Sequence, residues 1–523
     1  MDDRGLTPVR GSGRTDIDVV IVGAGHNGLV TAFYLARAGL RVQVLEARSL
    51  VGGALATEEL IDGFRFSTCA FRLWGLQRPV IRDMGLAGRV TVRKPEPTVL
   101  RLYPDGRSLK QWSDLRRTAA ELESFSPGSS ARLGDWSALW ELAGVLYEPF
   151  VLREPPSESE LRARSALLGD PALYDTLRTA DMASLVRDHF ADEAVQGAYI
   201  AAPADPRQPG STLEAAWASV PLEPDWAGLP VGGMGALSTA MAEAAARAGA
   251  EITTDAPVKR ILVGDQGAVG VELGNGSRLD AGIVVSNLSP RATYRWLVDP
   301  GVLDPSFLGR VEGISSTIGY LKLHAGLREP MDLSRYLGPD HDPVAGSYMR
   351  ITRSIDHYIS AWEDCAAGRP AKDPVIQLGT HTALDPASAP PGGHAVSALV
   401  LYAPPVPKSG TWDELRTSVA EDLIDRITEY VPNFRRALVD YVLFTPTDLE
   451  HRLGMPAGDI HHGDHLPGQF FTGRPFPGSG GWRSPIAGLY LCGAGTHPGG
   501  EVTGAPGYNC AAAILADRKE GAR

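Results

Sequence analysis

The stretch from residue 16 to residue 53 constrains the fold more than any other part of this 523-residue chain. It consists of an apolar run, a glycine-rich turn, an apolar helical segment and a second apolar run, in that order. The turn has the spacing G-x-G-x-x-G, with its glycines at Gly23, Gly25 and Gly28, and the second apolar run ends in Glu46. This order predicts a parallel βαβ unit of the dinucleotide-binding type.

Each glycine of the turn has a separate physical role. The first permits a tight turn, the second lets the backbone approach a pyrophosphate, and the third lets the helix pack on the strand. The pyrophosphate then meets the helix N-terminus, to which we also assign Asn27. Glu46, 18 positions after Gly28, would bind a ribose diol and repel a 2′-phosphate, which disfavours NADP. The alternative, a chance glycine cluster in a loop, leaves the strand, helix and acid unexplained.

The charge balance disfavours some classes of partner. With 50 basic and 62 acidic residues, the chain has a formal net charge of −12, whereas a surface that binds nucleic acid is basic. The charge also gives no reason to expect attraction to an anionic membrane.

The length suggests more than one domain, and a hydrophobic content of 43% is enough for a large core. Oligomeric state cannot be read from these features.

The four cysteines form no recognisable redox or metal motif. There is no C-x-x-C pair among Cys69, Cys365, Cys492 and Cys510, so we expect reduced thiols rather than a dithiol centre or a metal knuckle.

The first sixteen residues contain no apolar signal segment, and the chain has no run of about 20 apolar residues. These features predict a soluble cytoplasmic protein with a disordered leader over residues 1–15.

A family resemblance appears directly after the second apolar run. Glu46-Ala47-Arg48, followed by Gly52-Gly53, resembles the signature of flavoproteins of the phytoene desaturase and amine oxidase type. The resemblance implies FAD as the cofactor, with the glycine pair extending its cradle past the ribose. It also implies an α/β fold, in which a discontinuous Rossmann-type FAD-binding domain carries an inserted α+β substrate domain.

Two positions depart from that signature. Members of the family often carry arginine where this chain has Leu50 and Ala54. Less positive charge is therefore available to face the pyrophosphate. We expect the helix dipole and Arg48 to carry more of the charge neutralisation.

The resemblance also implies how the domains divide. The FAD-binding domain would take residues 16–71, 228–290 and 480–523, and the substrate domain would take residues 72–227 and 291–479. In the middle FAD-binding segment, the resemblance places a backbone contact from Val258 near the adenine. The nearby Gly-Gly-Met-Gly run is not a second nucleotide site, because no apolar strand leads into it.

Apolar spacing and breakers predict the elements of the remaining chain. An Asn-Gly pair at 275–276 predicts a hairpin turn between two of the strands. Helices are predicted at 158–168, 171–190, 211–220, 236–248 and 412–431. Strands are predicted at 251–253, 258–263, 268–273, 283–286, 317–325 and 396–403.

The glycine-rich stretch 486–507 is the second strong signal. An apolar strand leads into it, and a helix is predicted from Thr503 to Asp517. This segment resembles the strand and helix that hold the flavin ring in the family. The resemblance assigns Gly493 to the cofactor site and turns the N–H groups of Val502 and Thr503 toward the flavin pyrimidine, where they would stabilise the reduced form. A plain glycine-rich loop is the alternative.

Two residues are candidates for catalysis. Glu501 stands where many relatives have glycine, so its carboxylate is a candidate general base or substrate anchor, with a solvent-facing carboxylate as the alternative. His461, His462 and His465 lie in a segment similar to one in the family, and we take His462 as the histidine that faces the substrate. Glycines and Pro467 favour a loop there, and no further ligand pattern accompanies it, so we predict no metal site.

These features predict an FAD-dependent oxidoreductase of the desaturase or dehydrogenase kind. It would move a hydride from a substrate carbon to flavin N5, remove a neighbouring proton and leave a C=C or C=N bond. Oxygen or a quinone-like compound would reoxidise the flavin, since no second nucleotide motif suggests NAD(P)H. The alternatives are an amine oxidase, whose usual lysine and aromatic cage we do not locate, a redox-neutral flavin isomerase, and a non-catalytic ligand-binding scaffold.

The substrate is expected to be a small molecule. A carotenoid-like lipid would need a long apolar tunnel and contact with a membrane, but the sequence shows no conspicuous amphipathic membrane helix. A smaller soluble metabolite is therefore at least as well supported.

Overall fold

The computed structural model describes residues 17–201, 204–221, 223–479 and 481–521, so the predicted leader lies outside the described residues. The strands are β1 Val19–Val22, β2 Val42–Leu45, β3 Thr57–Ile61, β4 Phe64–Ser67, β5 Val92–Arg93, β6 Val99–Leu102, β7 Ser108–Gln111, β8 Leu229–Pro230, β9 Glu251–Thr253, β10 Val258–Gly264, β11 Gly267–Leu273, β12 Arg278–Asp280, β13 Ile283–Ser286, β14 Gly319–Leu327, β15 Tyr348–Ile351, β16 Ile376–Thr380, β17 His394–Ala403, β18 Leu438–Phe444 and β19 Leu489–Leu491.

The helices surround these strands, and none within the described ranges offers a membrane-spanning length of apolar sequence. They are α1 His26–Arg37, α2 Arg78–Asp83, α3 Leu115–Phe125, α4 Leu133–Tyr147, α5 Glu158–Leu167, α6 Leu173–Thr179, α7 Met182–His189, α8 Glu193–Tyr199, α9 Leu213–Ala218, α10 Met234–Arg247, α11 Pro290–Ala292, α12 Pro305–Glu312, α13 Ser334–Leu337, α14 Ile355–Ala366, α15 Trp412–Tyr430, α16 Phe434–Ala437, α17 Pro446–Leu453 and α18 Ala505–Gly521.

A five-stranded parallel sheet joins distant parts of the chain. Its order is β19-β13-β1-β2-β9, with every neighbouring pair parallel. β1 and β2 are buried along their whole length, as expected of strands covered on both faces. Helix α1 packs with α10 and α18, and the antiparallel strands β10 to β12 share the core on the opposite face. The predicted α/β fold with a Rossmann-type sheet is confirmed, while the segment boundaries themselves stay predictions.

A second, seven-stranded sheet faces the first across a cavity. Its order is β18-β14-β17-β16-β15-β6-β7, and only the pair β15–β6 is parallel. Strand β14 shows how its two faces differ. Leu321 and Leu323 pack into the core that contains α15, whereas Tyr320 and Lys322 point to the opposite face because side chains alternate along a strand. That opposite face is the one turned toward the cavity.

Most predicted helices and strands are present, with small shifts at their ends. The single helix predicted at 171–190 is wrong, because the chain forms α6 and α7 there. The Asp181 carboxylate accepts a hydrogen bond from the N–H of Ser184 and so starts a new helix. The C-terminal helix begins at Ala505 rather than earlier, since Gly504 has a φ of 69°.

Candidate active site

A cavity of about 1390 Å³ lies between the two large sheets. Segments from all parts of the chain contribute to its wall. Most of the predicted site residues line it, namely Gly23, Gly25, Asn27, Glu46, Arg48, Gly53, Val258, His462, Glu501 and Val502.

The N-terminus of α1 opens into this cavity. The helix starts at His26 directly after Gly25, no side chain caps it, and its first turn carries no acidic residue. Gly25, His26 and Asn27 all line the cavity, so unpaired N–H groups and the positive end of the helix dipole lie at its wall. An anion such as a pyrophosphate would be stabilised there.

Two glycines of the turn leave no room for a side chain. A Cβ on Gly25 would lie 2.6 Å from Nδ2 of Asn287, and a Cβ on Gly28 would lie 2.3 Å from the carbonyl oxygen of Gly23. Gly28 therefore supports the wall from behind, as the predicted packing role of the third glycine requires. At Gly25 the absence of a side chain keeps the backbone open to a ligand.

Glu46 ends β2 with its carboxylate held by backbone groups. Oε2 accepts a hydrogen bond from the N–H of Ala24 at 2.8 Å, and Oε1 accepts one from the N–H of Arg48 at 3.0 Å. The residue is 7% exposed. Each carboxylate oxygen can accept a second hydrogen bond, so the carboxylate is oriented and still able to bind a diol.

Arg48 shares one carboxylate, that of Glu58, with a second arginine at the cavity wall. Its Nη2 lies 2.5 Å from Oε1 of Glu58, and Nη2 of Arg452 lies 3.1 Å from the same oxygen. Both arginines line the cavity, and together with the carboxylate they leave one net positive charge. Sequence reasoning missed Arg452, which stands 394 residues away from Glu58 in the chain.

The remaining predicted cofactor residues lie just behind the wall. Gly52 has a φ of 117°, and a Cβ there would lie 2.5 Å from a side-chain oxygen of α10. A Cβ on Gly493 would lie 2.8 Å from a backbone oxygen. Thr503 accepts a hydrogen bond through Oγ1 from the N–H of Ala505 at 3.1 Å and so starts α18. These positions shape the cradle through backbone approach.

Several buried polar atoms on this wall have no hydrogen-bond partner in the described part of the chain. Buried polar atoms are normally paired, and these atoms belong to residues that line the same cavity as the open helix terminus and the glycine turn. The combination fits a long polar ligand such as FAD. The atoms are Nε2 of His26, Oδ1 of Asn27, Nη1 of Arg48, Nδ1 of His461 and Nδ1 of His462.

Glu501 belongs to a cluster of acids and histidines on the same cavity. Glu214, His461 and His462 line the wall with it. Burial, and secondly the nearby Glu214 carboxylate, raise the pKa of Glu501 to about 7. Burial lowers the pKa of His461 to about 4 and that of His462 to about 3. Both imidazoles are therefore neutral at pH 7, and Glu501 titrates where a general base is most effective.

Sequence reasoning also missed Glu214 and Lys322. Burial raises the pKa of Glu214, which belongs to α9. Lys322 is 1% exposed, and its Nζ lies 3.6 Å from the centre of the Phe71 ring, which lines the cavity. Burial lowers the pKa of Lys322 to about 7. A lysine between two leucines in an apolar strand was the one available signal for it.

We expect Lys322→Met to stabilise the protein most strongly at low pH. The unfolded lysine binds a proton up to about pH 10.4, whereas the folded one releases it near pH 7, so wild-type stability rises with pH between these values. The variant lacks this rise. Its advantage should be about 1–4 kcal/mol at pH 7 and shrink toward pH 9.5, as measured by urea unfolding.

The control for that experiment is Lys259→Met, because the Lys259 side chain is 59% exposed. This variant should show no pH-dependent advantage. If Lys322→Met is no more stable than wild type at pH 7, burial of the Lys322 ammonium group does not destabilise the folded protein, and the prediction is wrong.

The fold and the site together define an FAD-dependent oxidoreductase. The family model for flavin containing amine oxidoreductases matches residues 28–515, and the chain belongs to this family. The predicted enzyme class and the predicted FAD cofactor are thereby confirmed.

Several relatives match over nearly their whole length. The chain is 31% identical to pyridine nucleotide-disulfide oxidoreductase domain-containing protein 2 of Mus musculus, over 99% of this chain and 96% of that protein. It is 29% identical to one subunit of the limonene dehydrogenase of Castellaniella defragrans (96% and 94%). It is 27% identical to a lycopene-forming phytoene desaturase of Pseudescherichia vulneris (93% and 96%). The predicted resemblance to phytoene desaturases is confirmed.

A solved structure shows the same fold at low sequence identity. A triple mutant of putrescine oxidase superposes with a TM-score of 0.62 at 18% identity, covering 96% of this chain and 99% of that one.

Proposed function

We propose that this enzyme is a desaturase or dehydrogenase that forms a C=C or C=N bond in a small molecule. The observation that supports this most directly is a carboxyl group that titrates near neutrality, Glu501, on the cavity that also carries the dinucleotide cradle. Bound FAD supplies the hydride acceptor at N5. Oxygen or a quinone-like compound serves as the final electron acceptor.

Different residues are assigned to different parts of FAD. Glu46 would accept hydrogen bonds from the ribose, the α1 terminus at Gly25 and Asn27 would stabilise the pyrophosphate, and Val258 would lie near the adenine. These roles agree with the oriented carboxylate and the uncapped helix described above. Val502, Gly53, Arg48 and Arg452 line the cavity. The backbone N–H groups of Val502 and Thr503 would face the flavin pyrimidine, and Gly52 and Gly493 would support the site from behind.

Glu501 takes the proton that leaves the substrate. Its carboxylate form must be present before the reaction, and its burial then favours the protonated form. The neighbouring Glu214 favours proton uptake by Glu501, because two adjacent carboxylates repel when both are ionised. The neutral His462 faces the same space and orients the substrate as a hydrogen-bonding group.

Amine oxidation is the second candidate function. Lys322 packs against Phe71, which lines the cavity, and is a candidate for the lysine that amine oxidases of this type often carry near the flavin. Two relatives whose names describe a dehydrogenase and a desaturase support C–H oxidation instead, and the amine oxidase structures share less than 25% identity with this chain.

Anaerobic spectroscopy tests the proposal. Purified protein should carry the visible absorption bands of FAD, and these bands should bleach when a saturated substrate is added without oxygen. Mass spectrometry should then find a product two hydrogens lighter, and re-admission of oxygen or a quinone should restore the bands. Release of ammonia would establish the amine oxidase alternative, and bound FAD that no candidate substrate bleaches would favour an isomerase or a scaffold.

A further inference from the structure

Three arginines surround one tyrosine on the substrate side of the cavity. Nε of Arg350 donates to the hydroxyl of Tyr348 at 3.2 Å, and that hydroxyl donates to Oε1 of Gln377 at 2.7 Å. The guanidinium of Arg72 lies 4.8 Å from the centre of the same tyrosine ring. Arg101 is 2% exposed and stands beside Arg350. Arg72, Tyr348, Arg350 and Gln377 line the cavity.

The sheet register places these groups in one row. Arg101 pairs with Arg350 across β6 and β15, Arg350 pairs with Gln377, and Gln377 pairs with Leu399. Residues in register on neighbouring strands point to the same face of a sheet. Like charges directly opposite one another are unfavourable, so the pair Arg101–Arg350 needs a compensating negative group.

No carboxylate in the described part of the chain compensates them. None of the ion pairs there involves Arg72, Arg101 or Arg350, and Nε of Arg72 and both Nε and Nη1 of Arg101 are buried without a hydrogen-bond partner. An unpaired buried guanidinium is costly because it has lost its hydration. The Tyr348 hydroxyl accepts one hydrogen bond from Arg350. The positive charges of Arg350 and Arg72 also hold the pKa of that phenol below its usual value, although burial opposes this.

Arg101 and Arg350 stand on elements other than those assigned to the cofactor phosphates, and Arg72 contacts the Tyr348 ring beside them. The pyrophosphate position at Gly25 already has the α1 terminus and the Arg48–Arg452 pair. Arg101 and Arg350 belong instead to strands of the second sheet, where the neighbouring wall is apolar and aromatic. That wall includes Trp74, Trp112, Leu399 and Leu401.

We propose that the substrate carries an anionic headgroup, a carboxylate or a phosphate, on an apolar skeleton, and that Arg350 and Arg72 bind this headgroup. Planar guanidinium groups suit both anions because they donate two parallel hydrogen bonds. The inference rests on the proposed function, since it names the substrate class for the same cavity. It also disfavours cationic amines, which the arginines would repel.

Binding to the oxidised holoenzyme tests this without any turnover. Octanoate, octyl phosphate and octan-1-ol share one chain and differ in their headgroup, and calorimetric titration gives the affinity of each. At least one of the two anions should bind about 10- to 100-fold more tightly than the alcohol, and the tighter one identifies the headgroup. Arg350→Gln and Arg72→Gln should each remove that advantage while bound FAD stays at the wild-type ratio.

Arg328→Gln is the matched control, because it removes one positive charge from the exposed end of the same sheet. It should bind the anion as wild type does. The proposal is overturned if the alcohol binds as tightly as both anions, or if the arginine variants lose FAD instead of the anion. Failure of the proposed function would appear differently, as a flavin that no substrate bleaches.

Discussion

Replacing Glu501 with glutamine should slow substrate-dependent bleaching of the flavin by about 10²- to 10⁴-fold, the usual contribution of a general base. Glutamine keeps the size of the side chain and cannot accept a proton. FAD content should stay at the wild-type level because the carboxylate is not needed to hold the cradle. Stopped-flow absorbance under anaerobic conditions measures the rate.

The pH profile separates a base from a merely structural residue. A base works in its ionised form, so the wild-type rate should rise with pH through about 7, the pKa of Glu501, and the rate of Glu501→Gln should lose this rise. In Glu214→Gln the like charge is gone, and the midpoint should move to lower pH. Glu312→Gln, at a side chain that is 50% exposed, should behave as wild type. A Glu501→Gln enzyme that keeps both rate and profile would rule out this base.

Gly28→Ala should weaken FAD binding by roughly 10- to 100-fold. The new methyl group would meet the carbonyl oxygen of Gly23 at 2.3 Å, and such overpacking costs about 1–3 kcal/mol. Relief of the clash would displace the turn that presents α1 to the phosphates. Titration of FAD into apoprotein, followed by flavin fluorescence, gives the affinity.

Gly309→Ala is the control for that substitution. Gly309 also lies in a helix, and a Cβ there meets nothing within 4 Å. This variant should bind FAD normally and be slightly more stable, because alanine favours the helix. Equal FAD affinity in both alanine variants would show that close packing at the third glycine is not required.

Local signals account for what could be predicted from the sequence. The turn at Gly23, Gly25 and Gly28, the acid Glu46 and the C-terminal glycine stretch are each encoded within about 20 residues. The turn and the acid predicted a dinucleotide-binding unit, and the family resemblance then implied FAD and the fold class. The division of 171–190 into two helices was missed because one capping aspartate outweighed a helical apolar pattern.

The contacts that could not be predicted depend on distant segments meeting. Arg452 joins Arg48 on one carboxylate, and Arg101 lies beside Arg350 only because β6 pairs with β15. Strand register between remote segments leaves no periodic trace in a single sequence. The same is true of Glu214, which comes close to Glu501 through tertiary packing.

The contact between α1 and α18 has a consequence for the order of events during synthesis. The hydroxyl of Thr31 donates to the carbonyl oxygen of Gly507, and a Cβ on Gly507 would lie 2.2 Å from the carbonyl oxygen of Asn27. The helix that presents the cofactor site also packs with α10, but it lacks this second partner until residues 505–521 have been translated. The nucleotide site therefore cannot close before α18 has been synthesised, and we expect cofactor loading to follow the translation of that helix.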